Sequence, residues 1–219
     1  MSREGREAYL DLWSRLHGGY DPRTSFWSWR WLTLAYWSAR PFVAARVAPD
    51  LVTLLGVLVS AGATGLAALQ GRWVVAAAAV VVLSALLDSL DGAVALLTGR
   101  TSAWGSVLDS VVDRVSDGLY LVALWLVGAP PGLCVAAGAL TVLQEYARAR
   151  AAASGMQDIG VVTVWERPTR VVVTSLFLLG AGLYVGAAAT WAALGAAAWV
   201  GLGVVGLVQL LVVVRRRLR

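Results

Sequence analysis

Four aspartates, Asp88, Asp91, Asp109 and Asp113, stand in DSLDGAVALLTGRTSAWGSVLDSVVD, a stretch that is otherwise strongly apolar. A carboxylate at bilayer depth costs at least about 2.5 kcal/mol on insertion scales, so such acids mark a site. Asp88 and Asp91 are i,i+3 and Asp109 and Asp113 are i,i+4, so each pair shares one face of a helix. TGRTS at 98–102 is a short polar turn between the pairs, and both pairs lie at matching depth from Arg100, on the order of 10 to 20 Å at helical rise. A hairpin of two facing helices therefore converges four carboxylates. Like charges in a poorly solvated place repel and take up protons unless a cation neutralises them. Oxygen-only donors favour Mg2+ or Mn2+ over zinc, and Mg2+ is commonly held by a few carboxylates together with substrate phosphates. Gly92, Ala95 and Gly105 keep the same face small where a ligand could approach the backbone. Each alone would equally serve close helix packing.

The elements that must position these acids follow from composition. Of 219 residues, 59% are hydrophobic and 14% charged, which excludes an ordinary soluble domain and implies an all-α integral membrane protein. A spanning helix needs roughly 20 apolar residues. Breaks at QGR (70–72), TGRTS, GAPPG (128–132) and a loop over 154–168 divide the chain into six transmembrane helices: 51–69, 73–97, 104–128, 133–153, 169–188 and 191–214. Two regions result, a cytosolic lead-in with a juxtamembrane helix at 1–47 and a six-helix domain at 48–219. Residues 1–25 read as polar lead-in, and their mixed charges argue against a cleaved signal peptide. Phe26–Val47 interleaves Trp27, Trp29, Trp31, Tyr36 and Trp37 with Arg30, Arg40 and Arg46, the composition of an N-terminal interfacial amphipathic helix, although a plain anchor would look similar. Pro49 and Asp50 provide a break and an N-cap.

All basic residues are arginine and the net charge is +5. Their clustering at span boundaries points to a lipid surface and no nucleic acid. With six spans, the N-terminal region, Arg100, the group around 148–170 and the tail Arg215–Arg219 share one side, leaving Arg72 opposite, so both termini and the acidic site face the cytoplasm of the cell membrane. Cys134 stands alone, excluding an internal disulfide; His17 falls in the lead-in, away from the acids; and GLGVVG at 201–206 lacks the strand and helix context of a phosphate loop.

Asp88, Asp91, Gly92, Ala95, Gly105, Asp109 and Asp113 resemble the signature of the CDP-alcohol phosphotransferase family, D-x2-D-G-x2-A-R-x8-G-x3-D-x3-D. Every spacing is kept. Leu96 stands where that family has arginine. The resemblance implies transfer of a phosphatidyl group from CDP-diacylglycerol to the hydroxyl of a small polar alcohol, with CMP leaving. It assigns Asp88, Asp91, Asp109 and Asp113 to metal, Asp113 also as the general base, and Gly92, Ala95 and Gly105 to the nucleotide. It further implies a homodimer. YARARAAASG at 146–155 and ERPTR at 166–170 resemble runs in the actinobacterial phosphatidylinositol phosphate synthases. That resemblance implies that Arg148, Arg150, Arg167 and Arg170 bind an acceptor phosphate, with inositol phosphate the preferred alcohol. Glycerol phosphate, serine or inositol as acceptor, a catalytically inactive relative, and an intramembrane cation transporter using the same carboxylates are the alternatives.

Overall fold

In a computed structural model, residues 3–16, 18–156 and 163–218 are described; His17 and positions 157–162 of the expected loop lie outside them. The described chain is all-helical: α1 (Arg3–Leu16), α2 (Phe26–Ala44), α3 (Pro49–Ala68), α4 (Trp73–Thr98), α5 (Ala103–Val127), α6 (Pro131–Ala153), α7 (Arg167–Leu183) and α8 (Ala188–Arg217). The helix boundaries from α3 onward fall close to the expected six segments. By length and apolarity alone, α3, α4 and the segment Val185–Arg217 qualify as membrane spans, with mean hydropathies of 2.0, 2.2 and 2.4. The others fall short for local reasons. Helix α5 carries Asp109, Asp113, Arg114 and Asp117, α6 turns polar at Glu145, Arg148 and Arg150, and α7 has only 17 residues.

The chain divides into two compact units, Met1–Gly56 with Ala85–Val112, and Val57–Ser84 with Asp113–Arg219. In the first, the core is built by Tyr9, Leu10, Leu32, Ala35, Tyr36, Ala39, Val52, Leu90, Ala93 and Val94. The expected polar lead-in is thus corrected: most of it is α1, whose Tyr9, Leu10 and Trp13 form an apolar stripe at i, i+1 and i+4 that docks in this core. Arg23 secures it by ion pairs to Glu7 (2.9 Å) and Asp11 (2.8 Å). Helix α2 buries Leu32, Ala35, Tyr36 and Ala39 along one stripe and exposes Phe26, Trp27, Leu34 and Trp37. Arg30 lies over Phe26 at 4.6 Å and Arg40 over Trp37 at 4.9 Å, cation–π contacts on the exposed side.

In the second unit α8 packs on α6 and α7 through small residues. A Cβ at Gly206 would come within 2.6 Å of Trp165, and one at Gly195 within 2.8 Å of Phe177, so these glycines permit close helix approach. Two of the glycines of the GLGVVG run, Gly203 and Gly206, serve packing against Leu140 and Trp165. Trp165 is fully buried and meets Trp199 edge to face at 5.1 Å. Gln144 donates to Thr163 Oγ1 (3.1 Å) and to the Trp165 carbonyl (3.4 Å), anchoring the approach to α7.

Candidate active site

The first unit contains a cleft of about 220 Å³ where the N-terminus of α3, the C-terminal half of α4 and the start of α5 meet. Each edge has a local cause. Pro49 opens α3, where its missing N–H costs nothing. Asp50 therefore sits inside the first turn and not at the N-cap expected for it; it lines the cleft, favoured there by the helix dipole. Helix α4 ends in a Schellman motif: Gly99 adopts φ +67°, its N–H donates to the Leu96 carbonyl (3.3 Å), and the Arg100 N–H donates back to the Ala95 carbonyl (2.9 Å). Ser102 caps α5 by accepting from the Gly105 N–H at 2.9 Å.

Asp91, Gly92, Ala95, Gly105 and Asp109 all line this cleft. A Cβ on Gly92 would meet nothing within 4 Å, so that glycine leaves open space, whereas one on Gly105 would stand 3.2 Å from Ser102 Oγ and 3.8 Å from Asp50 Oδ1. Asp91 is 7% exposed and accepts a 2.6 Å hydrogen bond from Thr53 Oγ1. The carboxylates of Asp88 and Asp109 approach within 4.8 Å, and Asp113 follows one turn along α5. Carboxylates this close repel unless a cation lies among them, and oxygen donors suit a hard divalent metal. Leu96 packs against the hydrophobic core of the unit.

Residues 46–205 match the family described as CDP-alcohol phosphatidyltransferase. The chain belongs to that family. This CDP-alcohol phosphatidyltransferase is therefore an integral membrane enzyme, which sets aside the transporter reading. It is 36% identical over 132 residues to an archaetidylinositol phosphate synthase of Aeropyrum pernix, covering 55% of this chain and 68% of that one. It is 37% identical over 153 residues to the phosphatidylinositol phosphate synthase of Mycolicibacterium smegmatis, covering 66% of each. Its fold resembles the Mycobacterium tuberculosis phosphatidylinositol phosphate synthase solved with CDP-DAG bound, at a TM-score of 0.64 and 29% identity over 80% of this chain and 92% of that one. A structure of the same protein with manganese and citrate gives a TM-score of 0.65 at 28% identity, covering 81% and 88%.

The transferase's second unit holds Asp113, Arg148, Arg167 and Arg170 in an ion-pair network. Arg167 pairs with Asp113. Arg114 bridges Asp117 (3.3 Å) and Glu145 (2.8 Å), and Arg148 pairs with Glu166 (2.8 Å). Arg170 is 1% exposed and donates to Asp117 (2.9 Å), Glu145 (3.5 Å) and the Trp165 carbonyl (3.2 Å). Arg150 is exposed in the last turn of α6. Four guanidinium groups thus face four carboxylates. Glu166 also accepts from the Thr163 N–H and hydroxyl, both at 2.8 Å. Burial pushes its carboxyl up, but the Thr163 N–H and the Arg148 guanidinium more than offset this and hold it below the usual range.

Sequence reasoning alone missed Asp50, Thr53, Glu145 and Thr163 as members of these sites. Asp50 and Thr53 had a signal: both follow Pro49 within one turn, where a helix start presents polar side chains together. Glu145 pairs with Arg114 and Arg170, which are distant in sequence, whereas Thr163 lies only three residues before Glu166, at the approach to α7.

Proposed function

We propose that this enzyme transfers the phosphatidyl group of CDP-diacylglycerol to a hydroxyl of inositol phosphate and releases CMP. The observation that carries the reading is the approach of Asp88 and Asp109 within 4.8 Å beside an open glycine-lined cleft. Asp88, Asp91, Asp109 and Asp113 would hold Mg2+ or Mn2+, which stabilises negative charge on the diphosphate and on departing CMP. Gly92, Ala95 and Gly105 leave room for the nucleotide end. Thr53 orients Asp91 by its hydrogen bond.

Asp113 is the general base. Its carboxylate takes the proton of the acceptor hydroxyl as that oxygen bonds to the β-phosphorus; the bond from phosphorus to the bridging oxygen breaks, and the electron pair leaves with CMP. Arg148, Arg150 and Arg167 take the acceptor phosphate, arginine's planar fork suiting two phosphate oxygens at once. Arg170 is buried and committed to Asp117, so it supports this group from beneath. Inositol phosphate as acceptor is supported by the synthase names of the relatives and by the density of arginine.

Helices α3 to α8 form six spans, with α2 lying at the membrane interface and the cleft and both termini on the cytoplasmic side. The arginine distribution and the exposed aromatic face of α2 support this topology. The enzyme works as a homodimer in the cell membrane. The deciding measurement is CMP release by purified protein given CDP-diacylglycerol, Mg2+ or Mn2+, and in turn inositol phosphate, glycerol phosphate, serine and inositol. Release with inositol phosphate alone is expected. No release with any acceptor would reject the transfer reading, and preference for another alcohol would reject the acceptor.

A further inference from the structure

The cleft of the first unit is lined by three carboxylates, Asp50, Asp91 and Asp109, and by a single basic residue, Arg100. An anionic diphosphate entering such a place meets repulsion unless fixed positive charge accompanies the metal. In the second unit Arg114, Arg148, Arg167 and Arg170 each face a carboxylate. Arg100 differs. Its side chain is exposed and makes no ion pair among the described residues, while its backbone is held by the Schellman bond to Ala95, itself a lining residue. The left-handed Gly99 turns the chain back so that Arg100, Thr101 and Ser102 all edge the cleft. At position 96, where an arginine would continue the motif, Leu96 is partly buried against the core and supplies no charge.

Resting on the proposed transfer reaction, we propose that Arg100 is the diphosphate-binding cation of this enzyme, presented from the α4–α5 turn in place of a charge at position 96. A guanidinium on a fixed backbone and a flexible stem can follow a phosphate oxygen at the mouth of the cleft, with the Thr101 and Ser102 side chains beside it as hydroxyl donors.

The test compares wild type with Arg100→Gln, Arg100→Lys and Gly99→Ala. Calorimetric titration with CDP and with cytidine, in Mg2+, isolates the diphosphate from both lipid and base. Arg100→Gln is expected to weaken CDP binding about tenfold or more while leaving cytidine unchanged, and to raise the KM for CDP-diacylglycerol without moving the acceptor KM. Arg100→Lys retains charge but loses the fork and should fall between. Gly99→Ala strains the turn that aims Arg100 and should weaken CDP in the same sense. Unchanged CDP affinity in Arg100→Gln overturns the proposal, as does a loss confined to the acceptor KM or to flotation with phosphatidylglycerol vesicles, which would make Arg100 a headgroup contact. Should wild type release no CMP with any acceptor, the transfer reading fails, and the CDP titration still decides the role of Arg100.

Discussion

Arg170 donates to Asp117 at 2.9 Å with the two side chains only 1% and 2% exposed. This pair joins α5 to α7. Removing one partner of a buried pair leaves an uncompensated charge and costs about 3–5 kcal/mol, whereas replacing both with apolar residues of similar volume is often close to neutral. Arg170→Met and Asp117→Leu are each expected to lower the thermal midpoint of the detergent-purified enzyme sharply. The double variant should recover most of the loss. A double variant whose loss equals the sum of the two single losses would show that the pair is not coupled.

Asp113 is the proposed proton acceptor. Asp113→Asn keeps shape and removes the basic lone pair, so turnover should fall by about 10²–10⁴-fold. Binding of CDP-diacylglycerol should stay within a few-fold of wild type. Titration of CDP-diacylglycerol against a single-turnover CMP assay separates the two; joint loss of binding and turnover argues for a purely metal-holding role.

Removal of metal with EDTA should abolish CMP release, and added Mg2+ or Mn2+ should restore it. Asp109→Asn should raise the Mn2+ concentration needed for half-maximal rate by roughly 100-fold. Thr53→Val removes the 2.6 Å hydrogen bond to Asp91, together with the hydroxyl's 3.2 Å contact to the Pro49 carbonyl, and should raise it by about 10-fold, the size expected for an outer-shell partner. An activity insensitive to chelation contradicts the carboxylate assignment.

Glu166 provides a pH signature. Its carboxyl is held below the usual range by Thr163 and Arg148 despite burial, so it is depressed in the folded state. A depressed carboxyl contributes stability that is fully present above the unfolded value, 4.5, and is lost as pH falls through the lower folded value. The thermal midpoint should therefore be insensitive to this group from pH 7 down to about 4.5 and decline below that. Glu166→Gln should be less stable at pH 7 and show a smaller acid decline.

The sequence by itself determined what depends on local order. Apolar run lengths set the α3 to α8 boundaries to within a few residues, and the i,i+3 and i,i+4 spacings placed each aspartate pair on one helix face. The glycine between α4 and α5 and the serine before Ala103 likewise mark a turn that geometry requires. The tertiary structure alone decided which charges meet. Glu145 lies between Arg114 and Arg170, residues 31 and 25 positions away, and Thr53 reaches Asp91 across 38. Whether an arginine is spent on a buried carboxylate, as Arg170 is, or left open at a cleft, as Arg100 is, depends on neighbours supplied by other helices. The docking of α1 shows the same limit: a short stripe, Tyr9, Leu10 and Trp13, in polar surroundings reads as solvated until α2 and α4 provide the apolar surface that buries it.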